Sequence, residues 1–127
     1  MRKHIAVLAA MGLLAALAAV VPATARPSTL RVVDGRGTSA PSFVSGIEES
    51  SRAAAPAEAA RDHLRAHTAR YGIAEPARQL LVIEVVEKGS TATVRFAQRY
   101  KGLRVWGAQY LVHLRDGGSG YATESVN

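Results

Sequence analysis

The stretch Thr91-Ala92-Thr93-Val94-Arg95-Phe96-Ala97-Gln98-Arg99-Tyr100-Lys101-Gly102-Leu103-Arg104-Val105-Trp106-Gly107-Ala108-Gln109-Tyr110-Leu111-Val112-His113-Leu114 decides the fold. Read with a period of two, Val94, Phe96, Gln98 and Tyr100 fall on one face and Thr93, Arg95, Ala97 and Arg99 on the other. Residues 91–100 therefore read as a strand with one wet face. Lys101-Gly102 supplies a tight turn, and residues 105–114 read as the return strand, carrying Trp106, Tyr110, Val112 and Leu114.

Outward from this hairpin the pattern continues in both directions. Upstream, Leu80, Leu81, Val82, Ile83, Val85 and Val86 form a β-branched apolar run that predicts a well-buried strand ending at Lys88-Gly89-Ser90. Downstream, Asp116-Gly117-Gly118 turns the chain into a fourth strand over residues 121–126. Before the strands, residues 53–71 are alanine-rich, with Pro56 suited to a first helical turn, Glu58 near the start, and Arg65 and Arg70 near the end. Ala57, Ala60, Leu64, His67 and Tyr71 recur at helical spacing, and Gly72 is the expected stop. Residues 26–52, with Pro27, Pro41, three glycines and many hydroxyl residues, read as a flexible leader. The expected fold is α+β: one helix packed on an antiparallel meander of three to four strands, preceded by a signal peptide and that mobile leader.

The signal peptide is residues 1–25. A basic Met1-Arg2-Lys3-His4 leads into an uncharged run from Ile5 to Val21, and Ala23-Thr24-Ala25 places small residues where a signal peptidase reads, so cleavage is expected between Ala25 and Arg26. The expected product is secreted, with no membrane segment after signal removal. Its net charge falls below the full chain's +6 by the charges of Arg2 and Lys3. The remaining arginines are scattered among acids, which argues against nucleic acid as a partner. With no cysteine, neither a disulfide nor a lipid anchor on cysteine is available, and the core alone must hold the fold.

No catalytic constellation emerges. His63-Leu64-Arg65-Ala66-His67 has the i, i+4 histidine spacing of H-E-x-x-H zinc sites, but Leu64 stands where the general base belongs and no third ligand follows. The pair reads as a solvated helix face, and no metal or other cofactor is expected in this chain. His113 reads as a polar-face or core-edge residue. The serines lie in the leader and turns without a nucleophile elbow, and Glu84 and Glu87 fall on opposite faces of one strand.

One resemblance is specific. Arg95, Gln98, Tyr100, Gly102, Val105, Trp106 and Gly107, in that order and followed by an apolar strand through Val112, resemble the fungalysin/thermolysin propeptide motif, which typically reads V-R-x-x-Q-x-Y-x-G-[VL]-P-V-[FW]-G. Arg104 stands where that motif commonly has proline, which leaves the turn less rigid. The resemblance covers residues 53–127 and implies the N-terminal propeptide portion of a secreted thermolysin-like zinc metalloprotease precursor. Such a portion assists folding of the catalytic domain in cis and inhibits it, the zinc belonging to that domain and not to this chain. The sequence stops directly after the fourth strand, as an N-terminal fragment of a precursor would. A free-standing secreted protease inhibitor or interaction module is the alternative, and an enzyme in its own right is disfavoured. In either reading Tyr100 and Trp106 are expected to pack across the hairpin as buried aromatics, with Gly102 at a turn needing positive φ.

Overall fold

The computed structural model describes residues 28–127, so the signal peptide and its cleavage point at Ala25 and Arg26 lie outside the described residues. The elements in chain order are β1 (Arg31–Asp34), β2 (Pro41–Ser51), α1 (Pro56–Ala66), α2 (Thr68–Tyr71), α3 (Pro76–Gln79), β3 (Leu80–Lys88), β4 (Thr91–Tyr100), β5 (Leu103–Asp116) and β6 (Tyr121–Val126). The strands form one six-stranded antiparallel sheet in the order β1-β2-β6-β5-β4-β3. No helix among the described residues is long and apolar enough to cross a membrane.

The core lies between α1 and one face of this sheet. Its spine is a row of four valines in register across four strands, Val94 on β4, Val112 on β5, Val126 on β6 and Val44 on β2. All four are buried, as are Phe96 and Leu114 on the same face and Ala59, Ala60 and Leu64 of α1. Each buried branched or aromatic side chain contributes about 1.5–3 kcal/mol relative to exposure. α1 starts at Pro56, whose missing N–H costs nothing in the first turn, and α2 stops at Gly72.

The α+β class holds, but the expected architecture of one helix on a three- to four-stranded meander does not. The helical segment is three short helices, because the chain leaves helical geometry at His67 (φ −123°, ψ 36°) and resumes at Thr68. The expected mobile leader forms β1 and β2, and β2 pairs with β6, bringing Val44 and Ile47 into the core. Those two residues are three apart, since a register shift between Ser45 and Glu49 breaks the alternation that a strand normally shows.

The apolar run of β3 is also differently placed. β3 is an edge strand, and of its residues Leu80 alone is buried, while Leu81, Ile83, Val85 and Val86 are exposed. A β-branched run suits a strand at an edge as well as in the middle, so composition did not distinguish the two.

Candidate functional site

Two places hold chemistry. The first lies where the end of α1 crosses β2. Glu49 pairs with Thr123 on the helix-covered face of the sheet, and the i, i+4 spacing of His63 and His67 turns both rings toward it. Nδ1 of His63 lies 3.0 Å and Nε2 of His67 2.6 Å from the same oxygen, Oε2 of Glu49. The far nitrogen of His63, Nε2, lies 2.9 Å from the Tyr71 hydroxyl. Tyr110 donates from its own hydroxyl to the Tyr71 carbonyl at 2.8 Å, which ties this cluster to β5.

His63 is 2% exposed, so the pair is no solvated helix face, whereas His67 and Glu49 are half-buried. Burial holds the His63 pKa below its ordinary value, and the attraction of Glu49 offsets this only in part. Burial alone would raise the Glu49 carboxyl; the hydrogen bond from His67 and the charges of both imidazoles outweigh it and hold the carboxyl below its usual range. Burial pushes the Tyr71 and Tyr110 phenols up, so both remain protonated at neutral pH.

The ligand atoms of Glu49, His63 and His67 lie within 4.8 Å of one another, a two-histidine, one-carboxylate set able to hold a metal ion. This corrects the expectation that the chain has no cofactor ligands. A candidate third ligand is present, but it precedes His63 by 14 residues and His67 by 18 and sits on a different element. No local spacing could reveal it. The one available signal was the acidic Glu48-Glu49 pair in a segment read as leader.

The second place is the β4–β5 hairpin that carries the motif residues. Lys101 and Gly102 have φ of 49° and 80°, the paired positive values of a two-residue type I′ turn. Between the pairs Ala97↔Gln109 and Arg99↔Arg104 the β5 side carries extra residues, so Val105, Trp106, Gly107 and Ala108 bulge from the ladder, with Gly107 at φ 74°. The bulge removes Trp106 from the inward parity of Tyr110 and Val112. Trp106 is 98% exposed, Leu103 75% and Tyr100 61%, so the aromatics expected to pack across the hairpin stand in water instead.

The other motif residues do not converge on them. Arg95 lies on the uncovered face beside Glu84 at 3.3 Å, Gln98 is half-buried opposite Leu80, and Val105 is half-buried in the bulge. His113, on the uncovered face, lies 3.1 Å from the Thr93 hydroxyl and 2.9 Å from Oδ1 of Asn127, away from His63 and His67.

Residues 80–122 match the family model described as Fungalysin/Thermolysin Propeptide Motif. The match takes in β3, the β4–β5 hairpin and the opening of β6, and leaves out β1, β2 and the helices. No curated protein and no solved structure matches the chain. This partial match is consistent with a propeptide segment of a protease precursor. The family is not catalytic, and its domains generally occur in cis with a protease catalytic domain.

Proposed function

We propose that this chain is the propeptide segment of an exported thermolysin-like zinc metalloprotease precursor, where it assists folding of the catalytic domain in cis and keeps it inactive until removed. Residues 1–25 direct export, and the segment that acts begins at Arg26. The observation that carries this reading is the exposed trio Tyr100, Leu103 and Trp106, which lies inside the matched residues. Single exposed apolar side chains are ordinary, but three large ones within seven residues around a tight turn form an anchor of the kind that dominates protein interfaces. They contribute little to the isolated domain and are available to a partner. Covalent linkage raises the effective concentration of such a contact to the millimolar range, so about 10²–10⁴-fold is lost when the segment is cut free.

The test is refolding of the precursor's catalytic domain with this segment in cis, in trans, and absent. The expected result is a recovery of active protease at least about tenfold lower without the segment, and inhibition by the separate chain that weakens in Trp106→Ala, a tenfold change corresponding to about 1.4 kcal/mol. Equal recovery with and without the segment would overturn the folding role. Unchanged activity at a saturating concentration of the separate chain would overturn the inhibitory one.

A further inference from the structure

We propose that Glu49, His63 and His67 form a zinc-class divalent cation site that staples β2 to the end of α1. The set is right in chemistry and nearly right in size. Zinc takes nitrogen ligands at about 2.0–2.1 Å and carboxylate oxygen at about 2.0–2.2 Å in tetrahedral array, so ligand atoms stand about 3.3–3.5 Å apart. Here the two nitrogens stand 3.0 and 2.6 Å from Oε2 of Glu49 and within 4.8 Å of each other, so a bound ion requires rotation of the half-buried Glu49 and His67 side chains that opens the first two gaps by less than about 1 Å and brings the nitrogens to tetrahedral spacing.

The outer contacts also fit. A ligating histidine nearly always fixes its second ring nitrogen by a hydrogen bond, and Nε2 of buried His63 is held by the Tyr71 hydroxyl. Without metal, Nδ1–H of His63 and Nε2–H of His67 donate to Glu49, and the Tyr71 hydroxyl donates to Nε2 of His63. With metal bound, the His63 proton moves from Nδ1 to Nε2 and donates to the Tyr71 oxygen, reversing that hydrogen bond, the His67 proton moves from Nε2 to Nδ1, and the carboxylate of Glu49 leaves the bound dication with a net charge of +1. His67 and Glu49 reach solvent, which provides the entry path, and a depression lined by Ser51, Ala59, Asp62 and Ala66 beside them leaves room for a water as fourth ligand.

The site belongs to this domain and is independent of the proposed inhibitory role. Glu49, His63 and His67 all precede the matched residues 80–122.

The probe is Zn²⁺ added to the metal-stripped chain, followed by calorimetry and thermal melting, with Co²⁺ as a spectroscopic substitute. The expected result is one Zn²⁺ per chain with a dissociation constant of about 1 µM or tighter. It is accompanied by a rise in Tm with zinc concentration and by the intense visible absorption of tetrahedral Co²⁺. His67→Ala and Glu49→Gln, both at half-exposed positions, should each weaken binding at least about tenfold while keeping the wild-type circular dichroism; His113→Ala should not. Since the Co²⁺ spectrum is read on the unaltered chain, a variant that failed to fold would leave the test intact. Binding weaker than about 100 µM, a featureless Co²⁺ spectrum, or affinity untouched in both His67→Ala and Glu49→Gln would overturn the site.

Discussion

Tyr71 and Trp106 are the two aromatics that the chain treats most differently. Tyr71 is 1% exposed, with its hydroxyl against His63 and its carbonyl taken by Tyr110, in a region where α1, α2, β2 and β5 meet. Trp106 is 98% exposed on a bulge at the far end of the β4–β5 hairpin. Every ionisable or hydroxyl group named around Tyr71 has a partner within the domain, whereas Trp106, Leu103 and Tyr100 stand largely in water. The difference separates two kinds of work: the Tyr71 region closes the fold on itself, and the Trp106 region leaves apolar area available to something else. The matched motif falls on the second region, and the strand and helices that stabilise the first lie outside it.

The largest test removes what closes the fold. Deleting residues 26–52 takes Val44 and Ile47 out of the core, removes Glu49, and uncovers the β6 edge. Transfer of the two side chains alone accounts for about 3–6 kcal/mol, comparable with the total stability of a small domain. The shortened chain should lose its cooperative urea transition and aggregate through the open edge. A sharp transition near the wild-type midpoint would mean that β2 is an ornament and that the meander alone is the folding unit.

Next in size is Phe96→Ala. Phe96 is fully buried at the centre of the helix-covered face, and truncation of a buried aromatic costs about 3–5 kcal/mol. Urea titration followed by circular dichroism should show a midpoint near zero denaturant at 25 °C. A loss below about 1 kcal/mol would show that the covered face is loosely packed.

What the sequence revealed and what it hid divide along the range of the interactions. The I′ turn at Lys101-Gly102, the start of α1 at Pro56 and the stop at Gly72 depend on residues adjacent in the chain, and all were legible. β2 was not, because its partner β6 lies more than seventy residues later and the bulge after Ser45 puts Val44 and Ile47 on one face at a spacing that reads as neither strand nor helix. Alternation also misplaced Trp106. Counted in twos from Val112 through Tyr110 it points inward, but the extra residues at Val105–Ala108 reset the parity. Glu49 was hidden for a further reason, since a ligand set is defined in space and Glu49 precedes the histidine pair on a separate element.

Acid should weaken the Tyr71 region by a moderate amount and leave the Trp106 region alone. Burial holds the folded-state pKa of His63 below its ordinary value, so the unfolded state binds the more protons in this range and stability falls as pH drops below about 6.5. Glu49 has a folded-state pKa below 4.5, so its contribution is present above that value and is lost as pH falls through the folded pKa. Both act in the same direction. With chelator present to exclude metal, Tm should decline steadily from pH 7 to pH 4, and Glu49→Gln should flatten the lower part of that decline. A Tm that is level or rising between pH 7 and pH 5 would show that His63 is not held neutral by burial.

The smallest effect on stability, and the sharpest test of the comparison, is Trp106→Ala. A buried tryptophan at a hairpin would cost about 3–5 kcal/mol on truncation, whereas a surface change away from any packed feature stays within about 0.5 kcal/mol. With 98% of its surface in water, Trp106 belongs to the second class, and the urea midpoints of Trp106→Ala and wild type should coincide within error. Because it is the chain's single tryptophan, its fluorescence supplies a direct check without any substitution. Emission of the native chain should be that of a solvated indole and should barely move on unfolding. On addition of the precursor's catalytic domain it should shift to the blue, as the ring leaves water for an apolar contact. A native spectrum already shifted to the blue, together with a loss of about 2 kcal/mol or more in Trp106→Ala, would place the ring in the domain's own core. The hairpin would then be a structural element like the Tyr71 region, and the anchor for a partner would have to be sought elsewhere, with the exposed face of edge strand β3 the next surface to examine.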